Sequence, residues 1–539
     1  MGVTVGGLVI LLLLQGSLFW SSTRASAALN FGTGSNSSNF RADHRHHLKG
    51  KQQWDANRVK FMEKIKTSNS ICPLLPRRSS AKKLWAQHIG AILAASKHPD
   101  DPQFLHEDWM KGLLAELPPH LLQSTLRDII PDLSRPLEII RKRLQSPETA
   151  PPLRIAVVGG SFAEGEGCSL ATVSIPEGSV MANPTFCAWP YRLQAFLNAM
   201  VGMDLVEVTN LSEEGTDTGF MIPLMRNWIY PKSLLPHGPD ILINAYGRYD
   251  YETYGNSGTN GNLEETIKSE MNMFLRAVQV SHPCGVPPAV IHMDDVGVEL
   301  NQNILSMHHK EVFARAMQAD RQYGDFAMAG HMAMTWVLAF GGLEAALRHC
   351  EKSTHAATVV PMDSCQDPST GEPSCPFAVF ASPQGTVTKV MDFRKYLAPF
   401  TLSSSGWEVL SEMTTGWSRK TGLVAVSAGA NMVLQVKNVN KEVRYLHLMT
   451  LKSNVDPWKS GRIRIRVAIL SPGKEDKPLE TSVEIDGNHQ SSRGDPEHIT
   501  HHFNLDFGGN KAPIGSDIMM SLELVEGSSF KILGIMLCS

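Results

Sequence analysis

Apolar positions fall into three regimes along the chain. From Val5 to Trp20 they are nearly continuous; between residues 81 and 350 they recur at three and four or gather in short solid runs; beyond residue 400 they alternate with polar positions. These are the patterns of a targeting segment, of helices interleaved with buried strands, and of half-buried strands.

In the middle regime, AKKLWAQHIGAILAAS and the runs around LLAEL and LEIIRKRLQ predict a helical extension over 81–150. Pro151 and Pro152 end it, because proline lacks the amide a helix needs. The stretch LRIAVV, Leu153 to Val158, reads as a strand buried on both faces that runs into Gly159-Gly160-Ser161. DLVEVTNLS, PDILINAYG and PAVIHMDD read as further strands. NLEETIKSEMNMFLRAVQV is helical between them, and His331 to Cys350 forms the closing helix. Alternating strand and helix predicts a parallel sheet covered on both faces, an α/β domain over 151–350.

Residues 351–399 are rich in Pro and Cys and read as a linker. After it the period becomes two: arginine alternates with aliphatics from Gly461 to Val467, and LVAVSAGANMVLQVK, HITHHFNLDF and DIMMSLELVEG continue in short strands. This predicts an all-β, sandwich-like domain over 400–539, whose expected role is to bind carbohydrate or to brace its neighbour.

At the other end, the apolar run is followed by Ala25-Ser26-Ala27, a small-x-small cleavage pattern, so 1–27 reads as a signal peptide. The alternative is a signal-anchored type II membrane protein, but about sixteen apolar residues fall short of the roughly twenty that a span needs. The expected location is therefore secreted or within the secretory pathway, with no stable membrane association once the segment is removed. Residues 28–80 are polar and read as disordered; the basic run with His44, His46 and His47 is expected to be solvated.

Composition fits a soluble globular protein: 539 residues, 19% charged, 42% hydrophobic, net charge -3. That balance gives no pull toward nucleic acid, the length allows about two to four structural units, and the oligomeric state stays open. Eight cysteines in an oxidising compartment are expected to pair. Cys168 with Cys187 is the expected local bridge, and one more is expected within the linker among Cys350, Cys365 and Cys375. No C-x-x-C occurs, so neither zinc nor thioredoxin chemistry is expected. Of the two sequons, Asn36 lies in a polar stretch and is the expected glycosylation site rather than Asn210.

A serine delivered by a strand after two glycines is the first chemical feature. The glycines permit a tight turn with close substrate approach, and FAEGEGC can start a helix whose N-terminus favours developing negative charge. No GxxxxGK[ST] or GxGxxG follows the strand, so a phosphate-binding turn is disfavoured. The hydroxyl still needs a base to take its proton and donors for an oxyanion.

The stretch Gly159-Gly160-Ser161-Phe162-Ala163-Glu164-Gly165 resembles the first block of the SGNH/GDSL hydrolases, in a GGS variant. The resemblance spans roughly 153–350 and implies a flavodoxin-like parallel sheet with Ser161 as nucleophile. Asn210 to Thr218 has the layout of the second block, which makes the Gly215 amide an implied oxyanion donor. The third block is usually G-x-N-D, whereas this chain has Gly247-Arg248-Tyr249-Asp250. Tyr249 stands where the family's asparagine donor belongs; a phenol can donate, but it is longer and needs a shifted position. The last block is usually D-x-x-H. Counting back from Gly330-His331 puts Asp325 at the usual histidine position and Gln322 at the aspartate's.

Two accounts stay open: His331 serves as base with Asp325 orienting it, or the site lacks a base. Asp495-Pro496-Glu497-His498 matches D-x-x-H literally but falls in the β-rich region and is read as coincidence. Asp294 and Asp295, at a strand end, could support the site; His308 and His309 receive no role. The resemblance thus implies a serine esterase, independent of metal and cofactor, acting on an acylated carbohydrate or small ester. Its alternatives are an inactive glycan-binding protein on the same fold and a secretory-pathway O-acyltransferase.

Overall fold

The computed structural model describes residues 63–72, 133–165, 188–213, 216–225, 238–247, 249–250, 263–281, 287–293, 328–352, 375–380, 390–413, 419–473, 478–489, 498–507 and 511–538. The signal segment, Asn36, the Cys168–Cys187 pairing and the 81–130 helices lie outside these residues.

Four strands, β1 (Leu153–Gly159), β2 (Val206–Asn210), β3 (Ile241–Ala245) and β4 (Ala289–His292), form a parallel sheet in the order β2-β1-β3-β4. This is the flavodoxin-like arrangement, whose carboxyl strand ends form the ligand-facing edge. β1 is buried along almost its whole length, as a central parallel strand must be. Helix α1 (Ser134–Gln145) leads into it, and a one-turn helix α2 (Ser161–Glu164) follows. α3 (Trp189–Val201) packs on β2 and against α6 (Met328–Lys352), while α4 (Thr218–Leu224) packs against α5 (Leu263–Ser281). Ala156, Val158 and Leu242 share a buried cluster with Phe220, Met221 and Phe274 of the α4/α5 pair. Ile155, Val157 and Ile243 alternate with them and so face the opposite side. The arginines of α1 and β1 converge on the buried carboxylate of Asp240, with Arg135 at 3.0 Å and Arg154 at 3.1 Å.

The β-rich unit is two antiparallel sheets. One has the order β13-β10-β15-β8-β7, built from β7 (Trp407–Met413), β8 (Arg419–Ala425), β10 (Tyr445–Ser453), β13 (His498–Asp506) and β15 (Phe530–Cys538), with β5 (Phe377–Phe380) also pairing with β15. The other has the order β12-β11-β14-β9-β6, from β6 (Thr401–Ser405), β9 (Asn431–Val436), β11 (Arg462–Leu470), β12 (Leu479–Asp486) and β14 (Asp517–Glu526). Helix α7 (Val390–Leu397) precedes β6.

Burial patterns give the two sheets different environments. In β11 the buried Ile463, Ile465 and Val467 face the core, while Arg462, Arg464 and Arg466 pair on the outer face with Glu484, Glu523 and Glu526. In contrast β15 is buried throughout and β10 nearly so, which requires cover on both faces. The second cover is the α/β unit: α4 touches β13, and Phe220, Met221 and Leu224 belong to the same buried cluster as Leu446, Leu448 and Ile535.

Two disulfides correct the expected linker bridge. Cys350 pairs with Cys72, 278 residues away, and Cys375 pairs with Cys538. Neighbours in sequence lost to neighbours in space: α6 carries Cys350 back to the 63–72 segment, whose Ile65 and Ile71 are buried, and β5 lies beside β15. The 351–399 stretch therefore supplies a strand, a helix and a covalent tie to the β-rich unit.

Candidate active site

Ser161 sits where β1 ends, at the carboxyl edge of the sheet. The turn is crowded enough to demand both glycines: a Cβ on Gly159 would approach Ala163 Cβ to 2.8 Å and the Ala245 carbonyl oxygen to 2.9 Å. On Gly160 it would lie 1.9 Å from Cε2 of Tyr249. Ser161 opens α2, so a helix does start at the serine, but it is a single turn and its dipole offers little.

The second block is drawn alongside by backbone pairing that continues past β2. Leu211 N donates to Val157 O at 2.7 Å and Glu213 N to Gly159 O at 2.8 Å. Asn210 locks the junction, donating from Nδ2 to Ala163 O at 2.8 Å and accepting from Ser212 N at 3.2 Å. With both amide atoms engaged and the residue buried, Asn210 is not open to glycosylation. Thr216 closes the loop by donating to Glu213 O at 2.6 Å. Gly215 lies outside the described residues.

The third block is held by a buried chain that composition does not reveal. Asn244 Nδ2 donates to Thr218 Oγ1 at 3.2 Å; that hydroxyl donates to Asp250 Oδ2 at 2.6 Å, and Thr218 N donates to Asp250 Oδ1 at 2.7 Å. Asp250 is 1% exposed. Fixing Asp250 fixes its neighbour Tyr249, whose hydroxyl reaches the serine: Ser161 N donates to Tyr249 Oη at 3.3 Å, and Ser161 Oγ is hydrogen-bonded to the same oxygen. Ser161 itself is 2% exposed. Nearby, burial pushes the Tyr246 phenol well above its usual range, opposed by the hydrogen bond from Thr216.

His331 lies in the first turn of α6, four residues before Thr335, whose hydroxyl donates to Trp189 O at 3.4 Å. Its side chain lies outside the described set, as do Asp325, Gln322, Asp294, Asp295, His308 and His309. His498 begins β13 in the β-rich sheet. Among the described residues no group of three or more His, Cys, Asp or Glu could hold a metal ion, and no helix is long and apolar enough to cross a membrane.

A contact unseen in the sequence links this site to the β-rich unit. Asp217 caps α4 by accepting from Phe220 N at 2.8 Å, and its Oδ1 lies 3.8 Å from Nδ1 of His502 on β13. The His502 ring lies near-parallel to those of His447 and His501, with centroids 6.1 and 6.3 Å away. Burial holds both of those imidazoles down at about 4. The half-buried Glu270 of α5 is raised by burial and eased downward by His502. In sequence HITHHF reads only as a strand; the α/β unit lying over it makes it a junction.

No family model matches the chain, and no curated protein matches it. Among solved structures it is similar to a two-domain esterase (CEX) active on acetylated mannans, at 12% identity over 76% of this chain and 96% of that one, with a TM-score of 0.38. Two shorter likenesses are to the module TmCBM61 in complex with β-1,4-galactotriose, at 13% identity, 26% and 90% coverage and a TM-score of 0.17, and to the carbohydrate-binding module CBM6cm-2 from Cellvibrio mixtus lichenase 5A in complex with cellotriose, at 13% identity, 31% and 98% coverage and a TM-score of 0.16. With TM-scores below 0.5, these likenesses do not bear on the chemistry of the site.

Proposed function

We propose that the chain is a secreted serine esterase of SGNH type that removes acyl groups, acetyl among them, from a glycan or small ester through an acyl-serine intermediate. One observation supports this reading above the rest: Ser161 stands at the carboxyl end of a central parallel strand, with the second and third blocks bound around it through Asn210 and Asp250. A strand end braced on both sides keeps a nucleophile in place while bonds change around it.

In this mechanism Ser161 Oγ attacks the ester carbonyl carbon and its proton passes to His331, with Asp325 orienting the imidazole. The carbonyl oxygen becomes an oxyanion held by the Ser161 and Gly215 amides. Collapse expels the alcohol, which takes the proton from the imidazole, and water then releases the acyl group by the same steps. The test is turnover of short-chain aryl esters and acetylated glycans by purified protein and by Ser161→Ala. A measurable wild-type turnover that Ser161→Ala matches refutes the assignment.

The burial of Ser161 under the Tyr249 hydroxyl favours a second reading, an inactive glycan-binding protein on the same fold. Glycan binding without any labelling of Ser161 by a fluorophosphonate, in the wild type or in variants at Tyr249, selects it.

A further inference from the structure

The geometry assigns Tyr249 the part of an internal plug: its phenolic oxygen occupies the place where the carbonyl oxygen of an ester must sit, and substrate has to displace it. This rests on Ser161 being the nucleophile. Where the nucleophile's own backbone amide is an oxyanion donor, as the proposed mechanism has it, the oxyanion lies within hydrogen-bond distance of that amide. Here that amide donates to Tyr249 Oη at 3.3 Å, and Oγ shares the same oxygen. A single protein oxygen thus takes both groups that a reacting carbonyl would engage.

Side-chain length explains the overshoot. By its place in the third block Tyr249 is expected to be a donor aimed at the oxyanion, in place of a short amide. The backbone beside it is pinned, because Asp250 holds Thr218 through two hydrogen bonds and its own amide donates to Tyr246 O at 2.8 Å. From that fixed point a phenol extends farther than an amide by the depth of its ring, and its hydroxyl arrives on the oxyanion position rather than behind it. Gly160 makes room for the ring: any side chain there would collide with Cε2 and Cδ2. Since Asp250 anchors the main chain, opening proceeds by rotation of the Tyr249 side chain. The Ser161 amide then passes from phenol to ester carbonyl, exchanging one hydrogen bond for another. Esters whose remaining groups bind well enough to drive the ring aside are the ones that react, which selects for extended substrates over small ones.

The experiment measures the rate at which a fluorophosphonate labels Ser161, because the phosphoryl oxygen of the probe must take the same position. Wild type, Tyr249→Asn and Tyr249→Phe are compared by intact mass, with Ser161→Ala as the blank and thermal unfolding as the check on folding. Tyr249→Asn is expected to react at least tenfold faster than wild type, and Tyr249→Phe, which keeps the ring but vacates the oxygen's position, faster as well. Equal or slower labelling of the folded variants overturns the plug while leaving the nucleophile standing. Labelling absent from every form, or undiminished in Ser161→Ala, removes the nucleophile and the plug together. Should Tyr249→Asn not fold, the conservative Tyr249→Phe decides alone.

Discussion

Gly160 lies directly beneath the ring of Tyr249, so near that a methyl group on the glycine would stand 1.9 Å from Cε2. Its φ of -86° is open to any residue, so alanine there is opposed by the ring and not by the backbone. Gly160→Ala is expected to cost on the order of 1–3 kcal/mol, the usual range for overpacking. Adding Tyr249→Asn should recover most of it. Urea unfolding of the two single variants, the double variant and wild type measures the coupling; an equal cost of Gly160→Ala in both backgrounds counts against the contact.

Two sets of ion pairs should differ sharply in worth. Asp240 is 1% exposed and takes bonds from Arg135, from the Arg154 guanidinium and from the Arg154 amide, so Asp240→Ala leaves part-buried donors without their acceptor. A loss of about 3–5 kcal/mol is expected. Arg464 on the solvent face of β11 bonds Glu484 and Glu523 in high dielectric, and Arg464→Ala should lower stability far less than Asp240→Ala. Denaturant midpoints at equal slope make the comparison.

Acid should weaken the β-rich unit. His447 and His501 are held at about 4, chiefly by burial, against about 6.5 for an unfolded chain. The unfolded state therefore binds protons first as pH falls. Their contribution is whole above pH 6.5 and is lost between 6.5 and 4, up to about 3 kcal/mol for each group. His447→Gln should flatten the fall in melting temperature across that window; parallel curves for the variant and wild type would count against it.

His292 is a simpler case. It lies half-buried at the end of β4 beside Phe274, both ring nitrogens are buried with no hydrogen-bond partner among the described residues, and burial lowers it to about 4. His292→Leu, similar in volume and free of polar atoms, should leave neutral-pH stability unchanged or raise it by about 1 kcal/mol. It should also remove part of the acid sensitivity. Chemical denaturation at pH 7 and pH 5 reads both effects, and a loss of stability at pH 7 would mean the ring makes a bond that has not been identified.

What the sequence disclosed and withheld follows from range. The solid aliphatic run of β1, the glycines before Ser161 and the arginine alternation of β11 are local patterns, and each maps onto a described element. The Gly160–Tyr249 contact, the Asn244–Thr218–Asp250 chain and the Cys72–Cys350 bridge join residues brought together only by the sheet order, and no local period encodes them. The histidines of β13 show the same limit from the other side. Their alternation predicts a strand, but whether its outer face meets water or protein depends on a helix almost three hundred residues earlier. Gly215, Asp325 and the side chain of His331 lie outside the described residues.

The place of β15 bears on how the molecule is made. Although it is the last of these strands in order, it lies between β10 and β8 and also takes β5 along with it. During synthesis those strands emerge without their central partner, and their unpaired edges must be kept from other chains until residues 530–538 arrive. A stop codon shortly before Phe530 would therefore do more than trim a terminus: it would split a sheet down its middle and uncover the surface on which the α/β unit rests.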